Sequence, residues 1–211
     1  MSLKNKNSIT MIGIAGRTGS GKTYLSDKLI SKFGKENIDK VEVDAYYKDL
    51  SHLSMQKRAG NNFDHPDAFD FELLINDLKK IKNGNNADIP IYNYSEHIRT
   101  SKTRKINHKI KILLLEGIFA LYNKDVLSFL NHKVFIDTPE KICINQRISR
   151  DLKNRDRTLE DIKSQLSTTV IPMFDKFINP TKTNADIIIK KIDDEDNEFV
   201  KLTSIINQDI N

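Results

Sequence analysis

Ile9-Thr10-Met11-Ile12-Gly13-Ile14-Ala15, followed at once by Gly16-Arg17-Thr18-Gly19-Ser20-Gly21-Lys22-Thr23, is the stretch that decides the fold. The first seven residues form a short apolar run of the kind that makes a buried strand. From Tyr24 to Phe33, apolar Leu25, Leu29, Ile30 and Phe33 recur at helical spacing. The glycine-rich segment between them fits G-x-x-x-x-G-K-[ST] and stands where that pattern requires, after a strand and opening a helix. Its glycines let backbone N–H groups turn inward around phosphate oxygens, and the helix N-terminus adds partial positive charge. Lys22 is placed to reach β- and γ-phosphates, and the Thr23 hydroxyl to ligate Mg²⁺. By average composition the four fixed positions coincide by chance in roughly one chain per hundred of this size. A plain strand-to-helix turn would explain one glycine, but not Gly-Lys-Thr after three of them.

Outward from this stretch the same alternation continues. Val41-Glu42-Val43-Asp44 is a second strand ending in a carboxylate, and Phe71 to Lys82 has helical period through Leu73, Leu74, Leu78 and Ile81, with Gly84 placed to end it. Ile110 to Leu115 is a strand ending at Glu116; Val134-Phe135-Ile136-Asp137 and Ile187-Ile188-Ile189 are two more. Strands that are apolar throughout and alternate with helices predict the α/β class, a parallel sheet covered by helices on both faces. Residues 89–111 read as a small β-hairpin appended to that sheet. Arg147 to Gln165 reads as a charged helix with few apolar anchors, the character of a mobile lid. With no internal repeat and no linker-like tract, residues 1–211 are expected to form one domain.

Composition narrows the function. Hydrophobic residues make up 38% and charged residues 30% of 211, a globular balance. No apolar run nears the roughly 18–20 residues that cross a bilayer, and Met1 to Lys6 is polar, so a cytoplasmic protein without a membrane partner is expected. The single cysteine, Cys143, excludes an internal disulfide and a cysteine-built zinc site. Net charge is +5, and six Lys/Arg without an acid lie between Arg99 and Lys111. That stripe lacks interleaved aromatics and reads as a solvated or phosphate-facing surface, so no nucleic acid is expected.

A phosphate loop says what is bound, not what is done with it. Switch GTPases, motor ATPases and small-molecule kinases share it, and a base and a second substrate pocket set the kinases apart. Asp44 and Glu116 end strands at the carboxyl edge of the sheet, where ligands bind in open α/β folds. Two carboxylates there suit a base that takes a hydroxyl proton and a Mg²⁺ ligand. Asn62-Phe63-Asp64-His65-Pro66-Asp67-Ala68-Phe69-Asp70 gathers acids, a histidine and aromatics around a proline. Ile89-Pro90-Ile91-Tyr92-Asn93-Tyr94-Ser95-Glu96-His97 adds two tyrosines that would share a strand face. By composition alone, a packed aromatic pair with a surface histidine is the favoured reading of these segments over a binding pocket.

Taken in order, these motifs resemble the uridine kinase (uridine–cytidine kinase) family of phosphate-loop nucleoside kinases, bacterial type. The likeness runs from Ile12 to Gly16 through Asp44-Ala45-Tyr46-Tyr47-Lys48-Asp49, Asn62 to Asp70, Ile89 to His97 and Glu116-Gly117-Ile118. It continues through Val134 to Pro139, Pro172-Met173-Phe174, Pro180-Thr181-Lys182 and Ala185 to Ile189. The resemblance implies a P-loop NTPase-type α/β fold with a nucleoside-binding hairpin and a helical lid. It implies Mg²⁺-dependent transfer of the ATP or GTP γ-phosphate to uridine or cytidine in pyrimidine salvage, and a homo-oligomer, a tetramer. Asp44 would be the base and Lys22 would serve the phosphates with Gly16, Arg17, Thr18, Gly19, Ser20, Gly21 and Thr23; Thr23, Glu116 and Asp44 would surround the metal. Tyr47, Phe63, Asp64, Tyr92, Tyr94 and His97 would line the nucleoside pocket, with Asp64 on the ribose and His97 on the pyrimidine 4-substituent. Arg147, Arg157 and Gln165 would close over the nucleoside, and Arg150 and Arg155 would reach the phosphates. Two departures stand out. The lid reads Arg155-Asp156-Arg157 where Arg-Gly-Arg is the family pattern, and Arg17 occupies a loop position where a small residue is common. The competing readings are a related kinase acting on another alcohol and a nucleotide-dependent binding module without transfer.

Overall fold

The computed structural model describes residues 9–106, 109–154 and 157–211. Its strands are β1 (Thr10–Gly16), β2 (Ile38–Glu42), β3 (Ala87–Asn93), β4 (Ile98–Ile106), β5 (Ile112–Glu116), β6 (His132–Ile136) and β7 (Ile187–Ile189). Five of them form one parallel sheet in the order β2-β5-β1-β6-β7, and β3 and β4 form a separate antiparallel pair. The helices are α1 (Lys22–Phe33), α2 (Met55–Ala59), α3 (Phe71–Lys82), α4 (Lys124–Leu127), α5 (Glu140–Asn154), α6 (Leu159–Gln165), α7 (Ile171–Met173) and α8 (Asn197–Ile210).

The uniformly apolar strands bury both faces. Ile12, Ile14, Ile112 and Leu114 turn to the side covered by Leu25 and Leu29 of α1 and by Phe199, Leu202 and Ile206 of α8. Met11, Ala15, Leu113 and Leu115 turn to the other side, where Leu74, Leu78 and Ile81 of α3 pack. The period-2 alternation of side chains thus feeds two cores. Parallel register sets Ile14 beside Glu116 and Gly16 beside Ile136, so the phosphate loop and the Glu116 carboxylate leave the sheet at the same edge.

Two of the long helices, α3 and α8, are capped by side chains. Asp70 accepts from Leu73 N at 3.0 Å to start α3, and Gly84, with φ +74°, follows its end as expected. Asp196 accepts from Glu198 N and Phe199 N to start α8, so the acidic run at 193–198 is a capping turn.

Two expectations are corrected. Asp44 does not end a strand: β2 stops at Glu42, and Asp44 sits in a tight 3₁₀ turn, Val43–Tyr46. Val43 lies so close to Gly117 that a Cβ there would stand 2.6 Å from the Val43 Cβ, and Tyr46 is fully buried with its hydroxyl donating to Asp77 of α3 at 3.1 Å. These two buried side chains bend the chain and hold Asp44 between them. Nor is Arg147 to Gln165 one loosely held helix. α5 begins earlier, and α6 is a second helix capped by Thr158. Ile144 and Ile148 of α5 meet Ile162, Leu166 and Val170 in a small apolar cluster of their own.

Candidate active site

The phosphate loop needs its glycines. Gly16, Gly19 and Gly21 all have positive φ, and a Cβ on Gly19 would stand 2.3 Å from the carbonyl oxygen of Cys143 in α5. Cys143 is fully buried against the back of the loop. Lys22 Nζ donates to the carbonyls of Gly16 and Arg17 at 3.2 and 2.9 Å. Burial lowers the Lys22 pKa below the usual lysine value, against the opposing pull of the Asp44 and Glu116 carboxylates. The Thr23 hydroxyl donates to Glu116 Oε1 at 3.0 Å and Ser26 to Oε2 at 2.8 Å, which fixes that buried carboxylate behind the loop. Ser20 is buried, and its carbonyl accepts from Thr138.

Arg17 turns away from the cavity beside the loop. Its guanidinium lies 3.5 Å from the centre of the Phe174 ring and 2.8 Å from Glu140. This stacked, paired arrangement suits a planar guanidinium and ties the loop to two helical segments.

A cavity of about 820 Å³ opens beside the loop, within the usual range for a small-molecule site. Thr18 and Asp44 line one end of it, and Tyr47, Phe63, Tyr92, Tyr94 and His97 the other. The rings form a set: Phe63 stacks on His97 at 4.9 Å, and Tyr47 meets Phe63 edge-on at 5.0 Å and Tyr92 at 5.1 Å. Tyr94 lies just past the end of β3 and touches Tyr92 at 5.4 Å, so the two tyrosines meet although they do not share one strand. Burial pushes the Tyr92 hydroxyl up to about 12. His97 is the one described non-glycine residue with positive φ, +53°, at the tip of the hairpin. Such a conformation is tolerated where the surroundings over-determine it, as ring stacking does here.

The polar wall is built on α5 and α6. Arg147 is buried; it donates to the Thr18 hydroxyl at 3.1 Å and to Gln165 Oε1 at 2.8 Å, and lies 4.0 Å from Asp64. Arg157 also donates to Gln165 Oε1. Burial pushes the Asp64 carboxyl up, with the Arg147 guanidinium and the Thr169 hydroxyl pulling it back. Arg150 lines the same cavity. Arg155 and Asp156 lie outside the described residues. Thus every other expected residue is at this edge of the sheet, with Glu116 and Thr23 behind the loop and Arg17 on its outer side.

Sequence reasoning missed Asp151 and Thr169. Asp151 is fully buried between Arg147 and Arg150, a pairing that its position four residues after Arg147 could have flagged. Thr169 lies one turn beyond Gln165, and its hydroxyl stands 3.4 Å from Asp64 Oδ2. The helical path there widens into π-type turns at Leu166–Val170 and Phe174–Ile178, on either side of Pro172. Within the basic β4 stripe, Arg99 donates to Tyr47 O and Asp70 and Arg104 pairs with Asp39 at 2.9 Å, while Lys102 and Lys105 are exposed, as a solvated surface would be.

As for a magnesium ion, the hard oxygens of Thr23, Glu116 and Asp44 fit it, and no cluster of three metal-binding side chains exists among the described residues. Such an ion takes one or two protein ligands and completes its shell with phosphates and water. No helix among the described residues is long and apolar enough to cross a membrane.

Comparison with known proteins accords with this geometry. The chain is 44% identical over 191 residues to a uridine kinase from Shewanella denitrificans, covering 89% of this chain and 90% of that one. It is 43% identical over 180 residues to a uridine kinase from Macrococcus caseolyticus, covering 85% and 87%. In fold it is similar to phosphoribulokinase from Rhodobacter spheroides, with a TM-score of 0.65 at 16% identity over 93% of this chain and 75% of that one. The model of the phosphoribulokinase / uridine kinase family matches residues 11–198, and with the phosphate loop, the sheet order and the second pocket described above, the chain belongs to that family.

Proposed function

We propose that this protein is a uridine–cytidine kinase, transferring the γ-phosphate of ATP or GTP to the 5′-hydroxyl of the nucleoside to give UMP or CMP. One observation carries the reading: a single cavity runs from Thr18 and Asp44 at the phosphate loop to the ring set of Tyr47, Phe63, Tyr92 and His97. A kinase acting on a small acyclic alcohol has no use for an aromatic cage of that extent.

In this reading Asp44 accepts the proton of the 5′-hydroxyl as its oxygen bonds to the γ-phosphorus and the bond to the β,γ-bridging oxygen breaks, releasing the nucleoside diphosphate. Lys22 and Arg150 face the charge that gathers on the transferring group, and the family resemblance gives Arg155 the same role. Asp64 holds the ribose hydroxyls through charge-assisted hydrogen bonds. His97 meets the 4-substituent, donating to a uracil oxygen in one tautomer and accepting from a cytosine amino group in the other. Arg147, Arg157 and Gln165 close the nucleoside in and exclude water from the transfer. A magnesium ion held by Thr23, Glu116 and Asp44 would neutralise phosphate charge. Residues 1–211 serve as one cytoplasmic kinase domain, assembled as a homo-oligomer.

The test is release of nucleoside diphosphate with MgATP and MgGTP against uridine, cytidine, thymidine, adenosine and pantothenate. Release with uridine and cytidine alone is expected. Turnover of pantothenate, or silence across the panel with ATP still bound, would overturn the reading.

A further inference from the structure

We infer that Asp151 is a positioning residue that sets two of the cavity-wall arginines, Arg147 and Arg150, for phosphoryl transfer. The inference rests on the kinase reading above, and it concerns a residue that touches neither substrate. Asp151 has no exposed surface, although it sits in the charged helix α5. Its Oδ1 accepts from both Nε and Nη2 of Arg150, each at 2.8 Å, and its Oδ2 lies 3.5 Å from Nε of Arg147. A buried carboxylate is tolerated only when paired, and this one is paired to two guanidinium groups at once.

The consequence is geometric as well as electrostatic. Arg150 uses its Nε edge on Asp151, which fixes the plane of the guanidinium, and Arg150 lines the cavity with Asp44. Arg147 extends the other way to Thr18 of the phosphate loop and to Gln165. Lys22 feels the charge of Arg150 directly, which helps lower its pKa. Several cations therefore converge on one space, and Asp151 is the counter-charge that lets two of them stand one helical turn apart without splaying. Guanidinium groups aimed at charge that develops in the transition state must be held in advance, because reorienting them during transfer would cost the rate they supply.

The experiment is a double-mutant cycle with Asp151→Asn, Arg150→Ala and the pair. It is read in kcat for uridine phosphorylation and in the Kd of a non-hydrolysable ATP analogue by calorimetry. Asp151→Asn is expected to lower kcat by roughly 10–100-fold with uridine KM little changed, the pattern of an interaction realised in the transition state. The double variant is expected to lie within about threefold of Arg150→Ala alone, because Asp151 acts through that arginine. Additive losses in both readouts, or wild-type kcat in Asp151→Asn, would overturn the inference. Should Asp151→Asn fail to fold, the same cycle is run with Asp151→Glu, which keeps the charge and moves it by one methylene. A wild-type enzyme that binds the analogue but transfers nothing would sink the kinase reading instead, and the Kd cycle would then decide the role of Asp151.

Discussion

At the scale of single residues, the carboxylates Asp44 and Asp64 have opposite demands on the fold. Asp44 is carried on a turn held by its buried neighbours Val43 and Tyr46. Asp44→Asn should lower kcat by roughly 10²–10⁴, the usual worth of a general base, with an unchanged melting curve; near-wild-type turnover would remove it from that role. Asp64 is different because burial raises its pKa. Its ionised form therefore opposes folding at any pH above the ordinary carboxylate value, and protonation relieves that cost as pH falls through the folded value. At neutral pH the cost is in force, so Asp64→Asn should melt no lower than the wild type. Its uridine KM should rise about 10–100-fold, the weight of a hydrogen bond to a charged group. A large fall in melting temperature with an unchanged KM would mark Asp64 as a structural residue. His97→Ala should raise uridine KM far more than ATP KM, since His97 stacks with Phe63 at the end of the cavity away from the loop. Equal losses for both substrates would assign it to the fold.

Among the elements, α8 gives the cleanest stability test. Asp196 accepts backbone N–H groups at the helix start and before it, and these bonds hold its carboxyl below the usual range. That contribution is present above the ordinary carboxylate value and is lost as pH falls through the lowered one. Asp196→Ala should thus cost about 1 kcal/mol at neutral pH, and urea melts of the two proteins should converge as the medium is acidified. A constant gap down to the lowest pH would mean that the cap acts without its charge. The elements also divide into those the sequence discloses and those it hides. β1, β5, β7 and α3 are legible because uniform apolar runs and helical period are local properties. The turn that carries Asp44 is not, because it depends on Val43 packing against Gly117, which is remote in sequence. The break between α5 and α6 is hidden for a similar reason, since charged faces mask the few isoleucines that meet across it. Asp151 reads as a solvated charge until α5 is folded against the loop, and the stacking of Arg17 on Phe174 joins segments that no spacing rule connects.

For the molecule as a whole, Arg147 links the two halves of the cavity, with Thr18 of the loop on one side and Asp64 and Gln165 on the other. Uridine should therefore tighten binding of an ATP analogue, by a factor within the usual span of roughly 5–150-fold, and the analogue should tighten uridine by the same factor. Calorimetry in both orders checks this, and Arg147→Gln should bring the factor close to one; unchanged coupling in that variant would show that the link runs elsewhere. The strand order has a further effect, on time. β1 begins at Thr10, but its partners begin at Ile112 and His132. Contacts of such long sequence separation make parallel sheets slower to assemble than helical bundles, which form in roughly microseconds to milliseconds. During synthesis the nucleotide loop thus emerges well before its walls, which are complete no earlier than β6, ending at Ile136. Nucleotide binding is consequently a late event in the life of this polypeptide, and added ATP should prolong the folded state more than it hastens its formation.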